Sequence, residues 1–296
     1  MVTRVVRLYQ QSANTAGFAR VLIGGAITIS GLAMLISQLY DYLAQADSVV
    51  RTALLGGAMS ASATALGALP VLFMRRITMG TQSALLGFSA GVMLAASIFS
   101  LLLPSYSAAL ALNFSQTGAV TLVFSGLAIG ALFLLAMDRS LPHTHEPDRS
   151  SNTSAVWLFV FAVALHNIPE GLAIGVASGT ADNANAVATG ISLQNVPEGL
   201  IVAIALLSAG YHRLFAVTVA ALSGLVEPMA AIAGSTMVTL SENLLPWGLA
   251  GAAGAMLFVI AHEIIPESCR HGYKRLAMTG LIGGAVTMLV LDAALT

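Results

Sequence analysis

ALHNIPEGLAIG, residues 164–175, is echoed by SLQNVPEGLIVA, residues 192–203. Each sets an amide, a proline and a glutamate in the middle of an apolar run, at 155–178 and 184–208, where a bilayer penalises such groups most. Runs of this length read as membrane-crossing helices, because about 20 apolar residues span the roughly 30 Å hydrocarbon layer. Residues four apart share a helix face. His166 therefore stacks with Glu170 and Gln194 with Glu198, with Asn167 and Asn195 on the adjoining flank, so each helix presents a two-toothed clamp at the same depth. Pro169 and Pro197 each remove a helix hydrogen bond and free the carbonyls of Leu165 and Leu193, tolerable at that depth only inside protein or beside a polar cavity.

Composition places the rest of the chain in the same solvent. Of 296 residues 57% are hydrophobic and 8% charged, with a mean hydropathy of +0.87, against about 25% charged in ordinary soluble domains. Nine candidate spans follow, near 17–39, 52–74, 80–104, 117–138, 155–178, 184–208, 213–239, 247–268 and 276–296. Arg4 and Arg7 precede the first of these in the manner of a signal peptide, but the run is too long and lacks a small-residue cleavage site, so it reads as a retained anchor. With the N-terminus inside, 11 of the 12 Lys and Arg residues fall at cytoplasmic ends or loops and only Arg51 falls outside. That is the distribution the positive-inside rule demands, and it leaves the C-terminus external. A net charge of −1 excludes a nucleic-acid partner, and the single Cys269 excludes a thiolate cage or an intrachain disulfide.

The domain division expected is 1–50 for an N-terminal segment, extra helix and external loop, then 51–296 for the main bundle, interrupted by a polar cytoplasmic loop at about 139–154. A second echo pairs AGVML, residues 90–94, with AGAML, residues 253–257, each followed by a proline, Pro104 and Pro266. Both pairs of echoes lie on oppositely directed spans, as an inverted repeat with proline-broken midplane helices requires, the pattern of secondary transporters. LVEP brings Glu227 to the same level in span 213–239. Interhelical hydrogen bonding would account for the amides, at about 0.6 kcal/mol each, but not for three glutamates, each costing roughly 2.5–3.5 kcal/mol at the bilayer centre. No Lys or Arg accompanies them at that depth. Either a metal cation or protons must compensate, and imidazole among carboxylates and amides suits Zn, Fe or Mn better than Mg or Ca.

HNIPEG, QNVPEG, LVEP and HEIIPES in succession resemble the ZIP (Zrt/Irt-like) family of divalent metal transporters, closest to its bacterial GufA-like branch. The resemblance covers residues from about 52 to the end. It implies an all-α polytopic fold, an eight-helix core in a 3+2+3 inverted arrangement to which this chain adds one N-terminal helix, and a binuclear metal site between the central pair. Carried over, the metal-binding residues are His166, Asn167, Glu170, Gln194, Asn195, Glu198 and Glu227, with Met93 as a thioether ligand and with Glu170 and Glu198 placed to bridge two ions. Gln194 departs from the histidine that many members carry, which bears on metal selectivity. His262, Glu263 and Glu267 suit an exit relay with Asp138 in the same vestibule, His143 and His145 occupy the cytoplasmic loop, and Asp292 stands at the external entry.

The function expected is uptake of Zn²⁺, with Cd²⁺, Fe²⁺ and Mn²⁺ as related substrates, across a bacterial inner membrane. The chain is expected to be no enzyme, to hold no prosthetic group, and to have as partners the metal ions, the lipid bilayer and a second copy in a homodimer. Two rivals stand beside this. HEIIPE suggests an intramembrane zinc metalloenzyme but lacks the second histidine of H-E-x-x-H, and a proton-coupled transporter of a non-metal solute would also use midplane carboxylates.

Overall fold

The structure, a computed structural model, describes residues 47–74, 77–139, 153–180, 184–270 and 272–295, with isolated positions between 30 and 38. The extra N-terminal span expected at 17–39 lies for the most part outside the described residues, as do His143 and His145. The chain divides into two compact units, Met1–Asp47 and Ser48–Thr296; the architecture that follows is that of the second.

Small residues decide how this bundle closes. The first helix, α1 (Ser48–Ala68), ends in a 3-10 turn at Leu69–Leu72 and buries Gly56, Gly57, Ser60, Ala61, Thr64 and Gly67 along one side. After it come α2 (Met79–Ala95), α3 (Leu103–Ala111), α4 (Gln116–Arg139), α5 (Thr153–Ala177) and α6 (Ala184–Ser208). The chain continues through α7 (Arg213–Ser223), α8 (Val226–Leu240), α9 (Leu244–Val259), α10 (Ile265–Cys269) and α11 (Lys274–Leu295). Consecutive pieces join into eight membrane-length apolar helices among the described residues: Ser48–Leu72, Met79–Ala111, Gln116–Arg139, Val156–Ala177, Ala184–Ser208, Arg213–Leu240, Leu244–Cys269 and Lys274–Leu295. The protein is an all-α polytopic membrane protein, and these spans agree with the last eight read from hydropathy.

Where lipid supplies no hydrophobic drive, helices associate through close packing of small side chains. That is seen throughout. α1 packs on α6, and α8 packs on α5; α2 packs on α11, and α9 packs on α4. α4 and α11 turn Phe124, Leu132, Phe133, Val286 and Val290 outward, the apolar surface that a bilayer would cover.

Three features depart from straight α-helix. Residues Ala96–Leu102 and Ile260–Ile264 form π-helical turns, and in both the residue before a proline donates its N–H five residues back, Leu103 to Ile98 and Ile265 to Ile260. The cause is shared: Pro104 and Pro266 lack an N–H, and their rings would strike a carbonyl in a tight α turn, so the wider turn relieves the clash. The third departure is at Gly224 and Leu225, where span 213–239 is interrupted between α7 and α8. Pro169 and Pro197, by contrast, do not break their helices. α5 and α6 run unbroken through them, which corrects the expectation of proline-broken midplane helices; helix neighbours on several sides hold the backbone in register.

Candidate metal site

Four helices bring Glu170, Gln194, Asn195, Glu198 and Glu227 together, with Ser60 and Thr64 beside them, whereas His166 and Asn167 are bonded elsewhere. α5 supplies His166, Asn167 and Glu170, α6 supplies Gln194, Asn195 and Glu198, and the break before α8 sets Glu227 in that helix's first turn. α1 completes the surround with Ser60 and Thr64, four residues apart on its buried side. The motif glycines explain the closeness. A Cβ added to Gly171 would run into the Glu227 carbonyl oxygen, and one added to Gly199 into that of Thr64. Each Pro-Glu-Gly thus places its glutamate one residue before the point where its helix touches the neighbouring backbone.

The polar atoms are then either tied or left open. Asn195 Nδ2 donates to Ser60 Oγ at 2.8 Å and to Glu227 Oε1 at 2.8 Å. Thr64 Oγ1 also reaches Glu227 Oε1, at 3.4 Å, and Gln194 Nε2 donates to Asn195 Oδ1. Asn167 Nδ2 donates to the Ser223 carbonyl at 3.0 Å, just ahead of the α7–α8 break. Four buried oxygens remain without any hydrogen-bond partner: both of Glu170, Oε2 of Glu227 and Oε1 of Gln194. Among the described residues these are the buried side-chain nitrogen and oxygen atoms left unpartnered, all are acceptors, and all belong to the motif. Leaving such groups unpaired costs about 1–3 kcal/mol apiece. The half-buried Glu198 faces the same pair, its carboxylate within electrostatic reach of Glu170 and Glu227. What such a set lacks is positive charge.

His166, one turn before Glu170 on α5, is tied to a second cluster. Its Nε2 lies 2.8 Å from Glu263 Oε1, and Asp138, His262 and Glu263 bring ligand atoms within 4.8 Å of one another. His262 stacks on Phe258 with ring centroids 5.0 Å apart. Glu267 pairs with Arg270 at 3.5 Å instead. Asp292 accepts a 2.6 Å bond from Ser100 Oγ in the first π turn. Met93 is fully buried in the main apolar cluster, with Ile174, Ile191 and Met256 in the same cluster. Reading the sequence missed Ser60 and Thr64. The available signal was their four-residue spacing within a run of glycine and alanine, and in such a run serine reads as packing filler.

Comparison with known proteins agrees with this architecture. The family described as ZIP zinc transporter matches residues 142–292. The chain is 42% identical over 249 residues to the zinc transporter GufA of Myxococcus xanthus, covering 82% of this chain and 98% of that protein. It is 42% identical over 284 residues to the zinc transporter ZIPB of Bordetella bronchiseptica, covering 93% and 92%. Human zinc transporter ZIP11 is 32% identical over 343 aligned positions, covering 85% and 99%. The chain belongs to the ZIP family.

Proposed function

We propose that this protein carries Zn²⁺, and with it Cd²⁺, Fe²⁺ or Mn²⁺, across the bacterial inner membrane into the cytoplasm, by way of the midplane cluster of His166, Glu170, Gln194, Glu198 and Glu227. Asn167 and Asn195 stand at its flanks, and Met93 supplies a thioether from α2. The observation that carries this reading is the set of four unpartnered oxygens on three helices. A divalent cation satisfies several acceptors at once and offsets three carboxylates, which no neutral donor could do. Glu170 and Glu198, one from each antiparallel motif helix, are suited to be shared between two ions. His166, Glu263, His262 and Asp138 then form a string of ligands leading away from the cluster, along which an ion exchanges one ligand set for the next; His143 and His145 would receive it in the loop beyond.

The 3+2+3 inverted arrangement is supported by how helices choose partners. Let the spans of α1, α2–α3 and α4 exchange with those of α7–α8, α9–α10 and α11, and α5 exchange with α6. Contact of α1 with α6 then maps onto α8 with α5, α2 with α11 onto α9 with α4, and α2 with α6 onto α9 with α5. The π turns before Pro104 and Pro266 exchange as well.

Uptake into proteoliposomes, with Zn²⁺, Cd²⁺, Fe²⁺ and Mn²⁺ compared in parallel, tests the proposal; saturable entry of none of them sinks it in favour of a proton-coupled transporter of another solute. Gln194→His is expected to change the ratio of Zn²⁺ to Mn²⁺ uptake, because imidazole would replace an amide oxygen at the same place. An unaltered ratio would show that Gln194 does not touch the ion. The inward direction rests on the charge distribution, and a background of Cys269→Ser permits a labelling test. In intact cells Glu242→Cys, in the α8–α9 connection, should react with an impermeant thiol reagent, and Tyr273→Cys, beside Lys274, should be protected. The reverse pattern would invert the topology.

A further inference from the structure

We infer that Ser60 of α1 is a positioning residue for the metal, acting through Asn195 to decide which oxygens of Gln194 and Glu227 face the ion; this rests on the midplane cluster being the metal site. Hydrogen-bond direction fixes the order of these contacts. An amide nitrogen has two hydrogens, and Asn195 commits both, one to Ser60 Oγ and one to Glu227 Oε1. Its own oxygen, held in place by those two bonds, accepts from Gln194 Nε2. With one Nε2 hydrogen given to Asn195, Gln194 turns its oxygen, along with its second Nε2 hydrogen, away from Asn195, and Glu227, held by Oε1 with help from Thr64, presents Oε2. Those two atoms, Gln194 Oε1 and Glu227 Oε2, are among the four that lack a partner. The open oxygens of α6 and α8 are thus the far ends of a chain anchored on α1. Ser60 is fully buried, and without its hydroxyl one Asn195 hydrogen would have no acceptor, which frees the amide to rotate and to offer nitrogen where the ion needs oxygen. Partners that orient a ligand in this way alter metal affinity by roughly 10- to 100-fold when removed.

Equilibrium binding of Zn²⁺ alone to the full-length protein in detergent tests this. Ser60→Ala should weaken binding about tenfold, whereas Ser105→Ala, which removes an equally buried hydroxyl bonded at 2.7 Å to the Pro246 carbonyl, should leave affinity unchanged. Because Ser60 acts through Asn195, the double variant Ser60→Ala with Asn195→Ala should bind no more weakly than Asn195→Ala alone, a non-additivity that general loosening of the fold would not produce. Wild-type affinity in Ser60→Ala, or losses that simply add, would overturn the positioning role. Glu170→Ala with Glu198→Ala, measured alongside, separates the two levels. If that variant loses zinc while Ser60→Ala retains it, only the positioning role falls; if both bind as wild type, the site itself is misassigned.

Discussion

Alanine in place of both Glu170 and Glu198 is expected to reduce saturable divalent-metal uptake to the background of empty vesicles while the protein still reaches the membrane. Each motif helix contributes one of these carboxylates, and Glu170 is fully buried with neither oxygen partnered. The substitution removes two of three carboxyl groups that stand close together. It also removes buried acceptors that cost about 1–3 kcal/mol each when unpaired, so the metal-free variant should melt no lower than wild type. That second measurement separates loss of site from loss of fold. Uptake at the wild-type rate would mean that the ion passes elsewhere.

A comparable loss is expected when no ligand is touched. Valine at Gly199 or at Gly171 must push α6 from the Thr64 backbone or α5 from the Glu227 backbone, since even a Cβ collides with a carbonyl oxygen there. Overpacking of a tight contact costs about 1–3 kcal/mol or more, and here the displaced helices carry Glu198 and Glu170 on the adjacent residue. Uptake should fall at least tenfold, because misplacement of ligands by about 1 Å suffices for large losses in a preorganised site. Valine at Gly283, which faces open space on α11, should be silent. Equal uptake by all three valine variants would show that helix contact at the motif glycines does not govern the site.

Span positions were legible because they depend on a local quantity, run length, and the two motifs stood out by their four-residue spacing. Glu227 stood out as a carboxylate inside an apolar run. The break at Gly224–Leu225 was not legible, since LVEP lies inside an apolar stretch long enough to cross a bilayer as one helix. Proline was an ambiguous sign: Pro169 and Pro197 stay within continuous helices, while Pro104 and Pro266 are preceded by π turns. The role of Ser60 depends on a partner 135 positions away, and no spacing rule reaches that far.

The π turn at Ala96–Leu102 works as a phase coupling between two gears. Upstream of it, Gly87 and Gly91 mesh with the α11 backbone at Ala277 and Leu281; downstream, Ser105 engages α9 at Pro246. One residue corresponds to about 100° of rotation in an α-helix. Deleting a single residue from this turn would let the helix run straight, leave the α11 teeth engaged, and swing Ser105 away from α9. A one-residue deletion here would therefore uncouple the two ends of this long span, keeping the α11 contact while losing the α9 one.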